Sequence, residues 1–255
     1  MKIYHLNCVK IETPFGSAIG HCVLIDKDGS LVLIDTGIGL AETKNPNERL
    51  GKELVEQTGY IFDEAITAIS QVKKLGYDPE QVKDIVCSHL DPDHIGGLVD
   101  FPNATVHVSK EELDAFHIGD PRYLPQQMEH NPVLKTYRDN DANWFVLPAR
   151  KLEIDFEMYL IPLFGHTAGH CGVAFKEETE QWIFYAGDTY YLKAELNDTS
   201  HPVGKLASLR AVDDVQRIHS LNRVRNLLPE QDSEIISFCY HDPAEFPIHR
   251  QDYRK

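Results

Sequence analysis

Short apolar runs separated by turn-forming residues are the dominant pattern along the chain. Runs of this length, rich in Val, Ile, Leu and aromatic residues, are typical of buried or half-buried β-strands. Asp26 and Gly29 mark a hairpin turn between two of these runs. The pattern predicts strands over residues 3–11, 20–25, 31–35, 84–88, 104–108, 144–147, 152–161, 171–175, 182–186 and 234–240.

Three segments have their apolar residues at helical spacing instead. Apolar residues from Phe62 to Leu75 form one face of a predicted helix, with Gly76 as its C-terminal stop. Ser109 and Glu112 have the spacing of a capping box, which predicts that a second helix begins there. Apolar residues recurring over 206–228 predict one long third helix.

The order of these elements predicts an α+β fold. A run of strands is followed by strands that alternate with helices, and each half of the chain contributes enough strands for a sheet. Such a pattern suits two sheets packed face to face with helices outside. Because no linker of Gly, Ser or Pro divides the chain, we expect residues 1–255 to form a single domain.

Composition and charge narrow the function classes. The chain has 255 residues and a formal net charge of −15, which argues against nucleic-acid binding and against docking on an anionic membrane. The N-terminal residues lack an apolar signal core, so we expect a cytoplasmic protein. None of the five cysteines forms a Cys-x-x-Cys pair, and we expect buried thiols in a reducing compartment.

Histidine and aspartate residues follow four of the predicted strands. A strand end is a rigid position from which several side chains can be aimed into one cleft. Imidazole and carboxylate groups are ligands of divalent metal ions, and six or seven of them are enough for a two-metal site. The four segments are His89-Leu-Asp91-Pro-Asp93-His94, Gly165-His166-Thr-Ala-Gly-His170, Gly187-Asp188-Thr-Tyr-Tyr191 and Tyr240-His241-Asp242.

These segments resemble the metallo-β-lactamase-fold hydrolases, whose signature is H-x-H-x-D-H followed by a later His, a later Asp and a terminal His. The resemblance covers nearly the whole chain and implies a four-layer αββα sandwich. It also implies a set of roles for the residues. The first metal would be held by His89, Asp91 and His166, the second by Asp93, His94 and His241, with Asp188 bridging both, His170 as a structural hydrogen-bonding residue and Asp35 supporting the metal loop.

One position departs from the signature, because Asp91 stands where it has its second histidine. A carboxylate can still ligate, or it can hydrogen-bond a ligand or a metal-bound water. Carboxylate ligands favour oxygen-loving ions, so the expected cofactors are two divalent ions per chain, either zinc or manganese or iron. Asp35 could also be a plain turn residue before Thr36 and Gly37.

Within the superfamily, the chain is most similar to the N-acyl-homoserine-lactonase-like branch. The stretch that leads from Leu75 into the metal loop resembles that branch, and so does Tyr191, three residues after Asp188. In the lactonases a tyrosine at that place hydrogen-bonds the substrate carbonyl. Tyr190 could be the inward-facing residue instead, or Tyr191 could be a packed loop tyrosine.

We therefore expect a metal-dependent, lactonase-like hydrolase of ester bonds that acts through a metal-bridging hydroxide, with a quorum-quenching role. Asp93 and Tyr191 are its expected catalytic residues, and loops over 38–61, 117–143 and 190–205 would form the pocket. The expected partner is a small ester or lactone, with neither nucleic acid nor membrane, and the chain could form a homodimer. Thioester or phosphoester hydrolysis, a non-haem iron oxidoreductase and a non-catalytic binder are the alternatives.

Overall fold

The computed structural model describes residues 1–13 and 16–247 of the chain. Thirteen strands run over Lys2–Thr13 (β1), Gly16–Lys27 (β2), Ser30–Ile34 (β3), Tyr60–Ile61 (β4), Val82–Val86 (β5), Thr105–Ser109 (β6), Val133–Tyr137 (β7), Ala142–Trp144 (β8), Leu147–Lys151 (β9), Met158–Pro162 (β10), Cys171–Lys176 (β11), Trp182–Tyr185 (β12) and Ile235–Phe238 (β13). Eight α-helices run over Leu40–Lys44 (α1), Pro46–Arg49 (α2), Lys52–Thr58 (α3), Ala68–Lys74 (α4), Pro92–Ile95 (α5), Lys110–His117 (α6), Val203–Arg210 (α7) and Asp214–Glu230 (α8).

The strands form two sheets. The first has seven strands in the order β4-β1-β2-β3-β5-β6-β7, and the second has six in the order β13-β12-β11-β10-β9-β8. Strands β3, β5 and β6 are parallel neighbours, as are β12 and β13. Parallel strands bring their carboxyl ends to one edge of a sheet, so the residues that follow them lie close together.

The described residues fall into two compact units. The first contains Met1–His107, Gly119–Lys135 and the described residues after 245, and the second contains Val108–Ile118 and Thr136–Glu245. The single domain over 1–255 stays a prediction, and its last eight residues lie outside the described part of the chain. No helix of the described residues has the length and apolar character needed to cross a bilayer. All five cysteines are buried thiols, as expected.

The predicted hairpin turn is present, with Asp28 and Gly29 at its tip. Both have positive φ values, of 53° and 86°. Lys27 pairs with Ser30 across this two-residue turn. A turn with two positive φ values matches the twist of the strands it joins, which is why Asp-Gly is favoured there.

Two of the predicted helices are wrong in extent. The helix expected over 62–75 begins only at Ala68, because Asp63 caps a short 3₁₀ turn over Glu64–Ile66 and Thr67 has an extended backbone, with ψ of 148°. The helix expected over 206–228 is split into α7 and α8. Asp213 ends the continuity, since its side chain accepts from the Gln216 amide at 2.9 Å and starts α8.

The exposure of apolar side chains also differs from that expected for one continuous helix. Leu209 and Val215 are 84 % and 81 % exposed, so these apolar residues do not form one continuous buried face. Only the later part of the predicted apolar face is buried, since Leu221 and Val224 of α8 belong to the core of the second unit.

Two predicted strands are also wrong in position. Residues 144–147 contain a hairpin turn at Phe145, whose φ is +50°, between β8 and β9. Of residues 152–161, only the part from Met158 is strand. The expected loops at 38–61 and 117–143 contain three short helices and strands β7 and β8.

We expect Gly165→Ala to destabilise the second unit. An added Cβ would lie 2.0 Å from the Arg217 amide nitrogen, at a φ of +124°. The free energy of unfolding should fall by about 2 kcal/mol or more. The matched control is Gly204→Ala in α7, where the nearest atom lies 3.9 Å away and helix propensity should add up to about 1 kcal/mol. Equal denaturation midpoints for the two variants would contradict the close packing at Gly165.

Candidate metal centre

Four of the expected site residues lie on one loop of the first unit. His89, Asp91, Asp93 and His94 follow β5, and each is at most 8 % exposed. The loop closes into the short helix α5, where Asp91 takes the N-cap position and Pro92 the first helical position. Proline suits that position because its missing N–H would have no partner inside the helix.

Asp35 orients the two histidines of this loop. Its carboxylate is fully buried and accepts from Ser88 N at 2.8 Å, Ser88 Oγ at 2.7 Å and His94 Nδ1 at 2.8 Å. Since the one hydroxyl hydrogen of Ser88 goes to Asp35, Ser88 Oγ accepts from His89 Nδ1, 3.0 Å away. Both histidines therefore carry their proton on Nδ1, which leaves Nε2 unprotonated, as a metal ligand requires.

The residues after Asp35 hold the backbone of the same loop. The His94 carbonyl accepts from Thr36 N at 2.8 Å, Thr36 Oγ1 at 3.0 Å and Gly37 N at 3.2 Å. Gly37 is required by space, since a Cβ there would lie 2.3 Å from Cys8 Cβ. The Asp-Thr-Gly segment thus fixes both the side chain and the main chain of His94.

Three more expected ligands gather at one edge of the second sheet, within the second unit. Asp188 follows β12, His241 follows the parallel β13, and His166 lies on the loop that joins β10 to β11. Asp188 Oδ2 lies 3.3 Å from His166 Nε2 and 3.4 Å from His241 Nε2. One carboxylate oxygen is thus equally close to two imidazole nitrogens.

His170 supports Asp188 through the backbone. Its Nε2 accepts from the Asp188 amide at 2.9 Å, and its Nδ1 donates to the Leu163 carbonyl at 3.0 Å. An amide can only donate and a carbonyl can only accept, so this ring is the neutral Nδ1–H tautomer. Both ring nitrogens are engaged in these hydrogen bonds, and the structural role of His170 stays a prediction.

Glu112 also positions this edge, and sequence reasoning missed it. Its fully buried carboxylate accepts from Thr167 Oγ1 at 2.6 Å and Gly169 N at 2.9 Å, while Ser109 Oγ donates to the Gly169 carbonyl at 2.6 Å. The start of α6 therefore clamps the loop that carries His166. The sequence did single out Glu112, but as part of a capping box. In a capping box its side chain would bond the backbone of Ser109 and not the loop of His166.

The two candidate tyrosines have different surroundings. The Tyr191 ring packs edge-on against His166 and His241, with ring centroids 5.9 and 5.2 Å apart. Tyr190 is fully buried within an apolar cluster of the second unit, where burial raises the pKa of its phenol well above the ordinary value. Tyr191 is therefore the tyrosine that faces the ligand histidines.

The donor set suits divalent metal ions. Among the residues that the structure describes, the candidate donors are His89, Asp93 and His94 in the first unit and His166, Asp188 and His241 in the second. Nitrogen from neutral imidazole and oxygen from carboxylate are the donors that zinc, manganese and iron prefer, so the residues fit such a cofactor.

Asp91 has a different neighbour. Arg122 donates to its carboxylate through two nitrogens, Nε to Oδ1 and Nη2 to Oδ2, the second at 2.7 Å. Asp91 Oδ2 also lies 3.4 Å from His89 Nε2, and Asp91 is not among the candidate donors named above. Its role as a metal ligand stays a prediction.

Comparison with known proteins shows the family of the chain. A family model described as the metallo-beta-lactamase superfamily matches residues 16–230. The chain belongs to the metallo-β-lactamase superfamily. Membership implies a metal-dependent hydrolase, and it implies that divalent ions occupy groups of the kind found here.

Individual relatives extend the comparison. A probable metallo-hydrolase of Mycobacterium tuberculosis is 32 % identical over 269 aligned positions, which cover 98 % of this chain and 83 % of the relative. An N-acyl homoserine lactonase of Bacillus cereus is 24 % identical over 197 positions, covering 77 % of this chain and 74 % of that protein.

A solved structure confirms the predicted fold class. It is an N-acyl homoserine lactone hydrolase with the product N-hexanoyl-L-homoserine bound at its catalytic metal centre. Its TM-score is 0.72 at 19 % identity, with 95 % of this chain and 93 % of that chain covered. At this identity the likeness shows the fold alone.

We expect Asp35→Asn to weaken metal binding. An amide has one acceptor oxygen and would place an NH₂ group against a donor from His94 or Ser88. Losing such an outer-shell carboxylate typically costs about 10–100-fold in metal affinity. Competition with a chelating dye measures the dissociation constants.

A second Asp–His pair in the first unit provides the control. Asp84 Oδ1 lies 2.7 Å from His107 Nε2, and neither residue is a candidate ligand. Asp84→Asn should leave the metal dissociation constants unchanged even if the protein melts at a lower temperature. Equal effects of the two variants on metal affinity would contradict the role given to Asp35.

Proposed function

We propose that this protein hydrolyses an ester-type bond with two divalent metal ions, and that the bond belongs to a lactone such as an N-acyl homoserine lactone. The observation that carries the proposal is Asp188 Oδ2, which lies between the Nε2 atoms of His166 and His241 as a bridging carboxylate would. The lactonase names of several relatives support the choice of substrate.

We assign the ligands as the superfamily signature does. His89, Asp91, His166 and Asp188 would hold the first ion, and Asp93, His94, His241 and Asp188 the second. Zinc is one candidate for both ions, and manganese or iron are the others because of the carboxylate at Asp91. Two such ions would supply a Lewis acid for a carbonyl oxygen and lower the pKa of a shared water toward neutrality.

The protein's own groups then complete the reaction. The Tyr191 hydroxyl would donate a hydrogen bond to the carbonyl oxygen, which gains negative charge when water adds to the carbonyl carbon. The Asp93 carboxylate would take the proton of the attacking water and pass it to the leaving alkoxide as the ring C–O bond breaks. One water is consumed, and the product is a hydroxy acid.

We place substrate selection in the loops over 38–61, 117–143 and 190–205. Glu195 shapes the last of these, because its Oε1 accepts from Tyr191 N at 2.7 Å and Leu192 N at 3.2 Å. We further propose a cytoplasmic location, which the buried thiols support, a small-molecule partner and, in solution, a homodimer.

A substrate panel tests the proposal directly. The purified protein is stripped of metal, reconstituted with Zn²⁺, Mn²⁺ or Fe²⁺, and assayed with acyl homoserine lactones, thioesters and phosphodiesters. We expect the lactones to be the best substrates. The Asp188→Asn variant should lose most metal and all hydrolysis, because a bridge contacts both ions. Lactone turnover no faster than that of Asp188→Asn would reject the proposal, and a better thioester or phosphodiester would replace the substrate class.

We expect Tyr191→Phe to lower kcat/KM toward lactones by about 10- to several-hundred-fold, the usual cost of one oxyanion donor or somewhat less. Metal content should not change, because the ring remains in place against both histidines. Tyr190→Phe is the matched control, and its kcat/KM should stay at the native level. An unchanged rate for Tyr191→Phe would leave the carbonyl to the metal ions alone.

A further inference from the structure

At the position where the chain departs from the superfamily signature, Asp91 is paired with a second charged residue, Arg122. Asp91 replaces a neutral histidine, and Arg122 grips its carboxylate with both Nε and Nη2. The two side chains are only 5 % and 13 % exposed. Arg122 is itself placed by a turn, since its amide donates to Asp120 Oδ1 at 3.0 Å.

The chemistry of this pair differs from that of an exposed salt bridge. A guanidinium group that binds both carboxylate oxygens forms a planar, two-pronged contact, and it cannot lose its proton in a protein. Withdrawn from water, such a pair is strongly destabilised when one partner is removed, because the other charge is left buried and uncompensated. The pair as a whole is neutral, as the histidine of the signature would be.

The carboxylate of Asp91 would interact with two cations, the guanidinium of Arg122 and the first metal ion. Asp91 Oδ2 lies 3.4 Å from His89 Nε2, an atom that the proposed function assigns to the first ion, and 2.7 Å from Arg122 Nη2. A metal ion bound by His89 and the guanidinium would therefore compete for the same oxygen. The bond to one cation lowers the electron density that Asp91 can offer to the other.

We propose that Arg122 is a positioning residue that restrains Asp91 and thereby weakens the binding of the first metal ion relative to the second. This inference rests on the proposed metal function. It explains how a third carboxylate can stand beside two metal-ligating aspartates without adding net negative charge to the site. It also makes the strength of the first metal site depend on a residue outside the ligand signature.

Arg122→Gln separates this role from a merely structural one. Removal of the guanidinium should lower the melting temperature of the metal-free protein by about 6 °C or more, because the buried Asp91 carboxylate loses the positive charge that is paired with it. The released carboxylate should then bind the first ion about 10-fold more tightly or better. The rise in melting temperature on metal addition should consequently be larger than in the native protein.

Three further variants complete the design. Asp91→Asn with Arg122→Gln removes both charges, so the metal-free melting temperature should recover and the first ion should bind no more tightly than in the native protein. Arg122→Lys keeps the positive charge without the two-pronged contact, so it should fold even if Arg122→Gln does not. Its affinity for the first ion should lie between those of the native protein and Arg122→Gln. Arg138→Gln is the matched control, because Arg138 pairs with Asp114 at 2.7 Å on an exposed surface and should change neither quantity.

The measurements are the two stepwise metal dissociation constants and the melting temperatures with and without metal, all without substrate. The weaker of the two constants reports the ion assigned to His89 and Asp91. If that ion binds equally well or more weakly in both Arg122→Gln and Arg122→Lys, the inference is overturned, because Arg122 would then have no effect on its binding or would help Asp91 to ligate. Failure of the native protein to bind two ions would reject the proposed function instead. The two failures are therefore distinguishable.

Discussion

A single buried carboxylate, that of Asp35, determines how the first unit presents its ligands. The residue has a φ of +52°, a conformation that Asn, Asp and Gly tolerate best. Glycine has no side-chain acceptor, and the asparagine side chain has only one acceptor oxygen, whereas three donors converge on the carboxylate of Asp35. Aspartate is the residue that meets both the backbone and the hydrogen-bond requirement. Through Ser88 the same carboxylate also orients His89, so one buried charge sets the tautomers of two ligand histidines.

The second unit solves the same problem with different groups. Glu112 and Ser109 hold the loop of His166 through Thr167 and Gly169, and His170 holds the Asp188 amide. In both units the loops that carry the candidate ligands follow strands and are tied to neighbouring backbone, so protein hydrogen bonds orient the ligand atoms. Such preorganisation is what a catalytic metal site needs, because a loosely held ligand costs affinity and rate.

Sequence reasoning worked where chemistry was local. The histidines and aspartates sit directly after strands in fixed spacing, and strands with long buried runs, such as those before Asp35 and His89, were found near their observed positions. It failed where a distant or single polar residue decides the outcome. Apolar spacing predicted one helix where Asp213 starts a second one. The hairpin turn at Phe145 contains no glycine, so the sequence gives no turn signal there. Glu112 was assigned to its own helix cap, because nothing near it in sequence indicates Thr167 and Gly169, 55 and 57 positions away.

The same limit applies to the charge of the metal site. From the signature alone, Asp91 adds a negative charge, and extra negative charge on a bound ion makes it a weaker Lewis acid. Arg122 lies 31 positions further along the chain, where the sequence contains no motif to connect the two. Once the pair is formed, its neutral sum returns the site to the formal charge that a histidine would leave. An expected preference for oxygen-loving ions then rests on the hardness of the Asp91 carboxylate oxygen beside His89, and a loss of Lewis acidity no longer follows from charge.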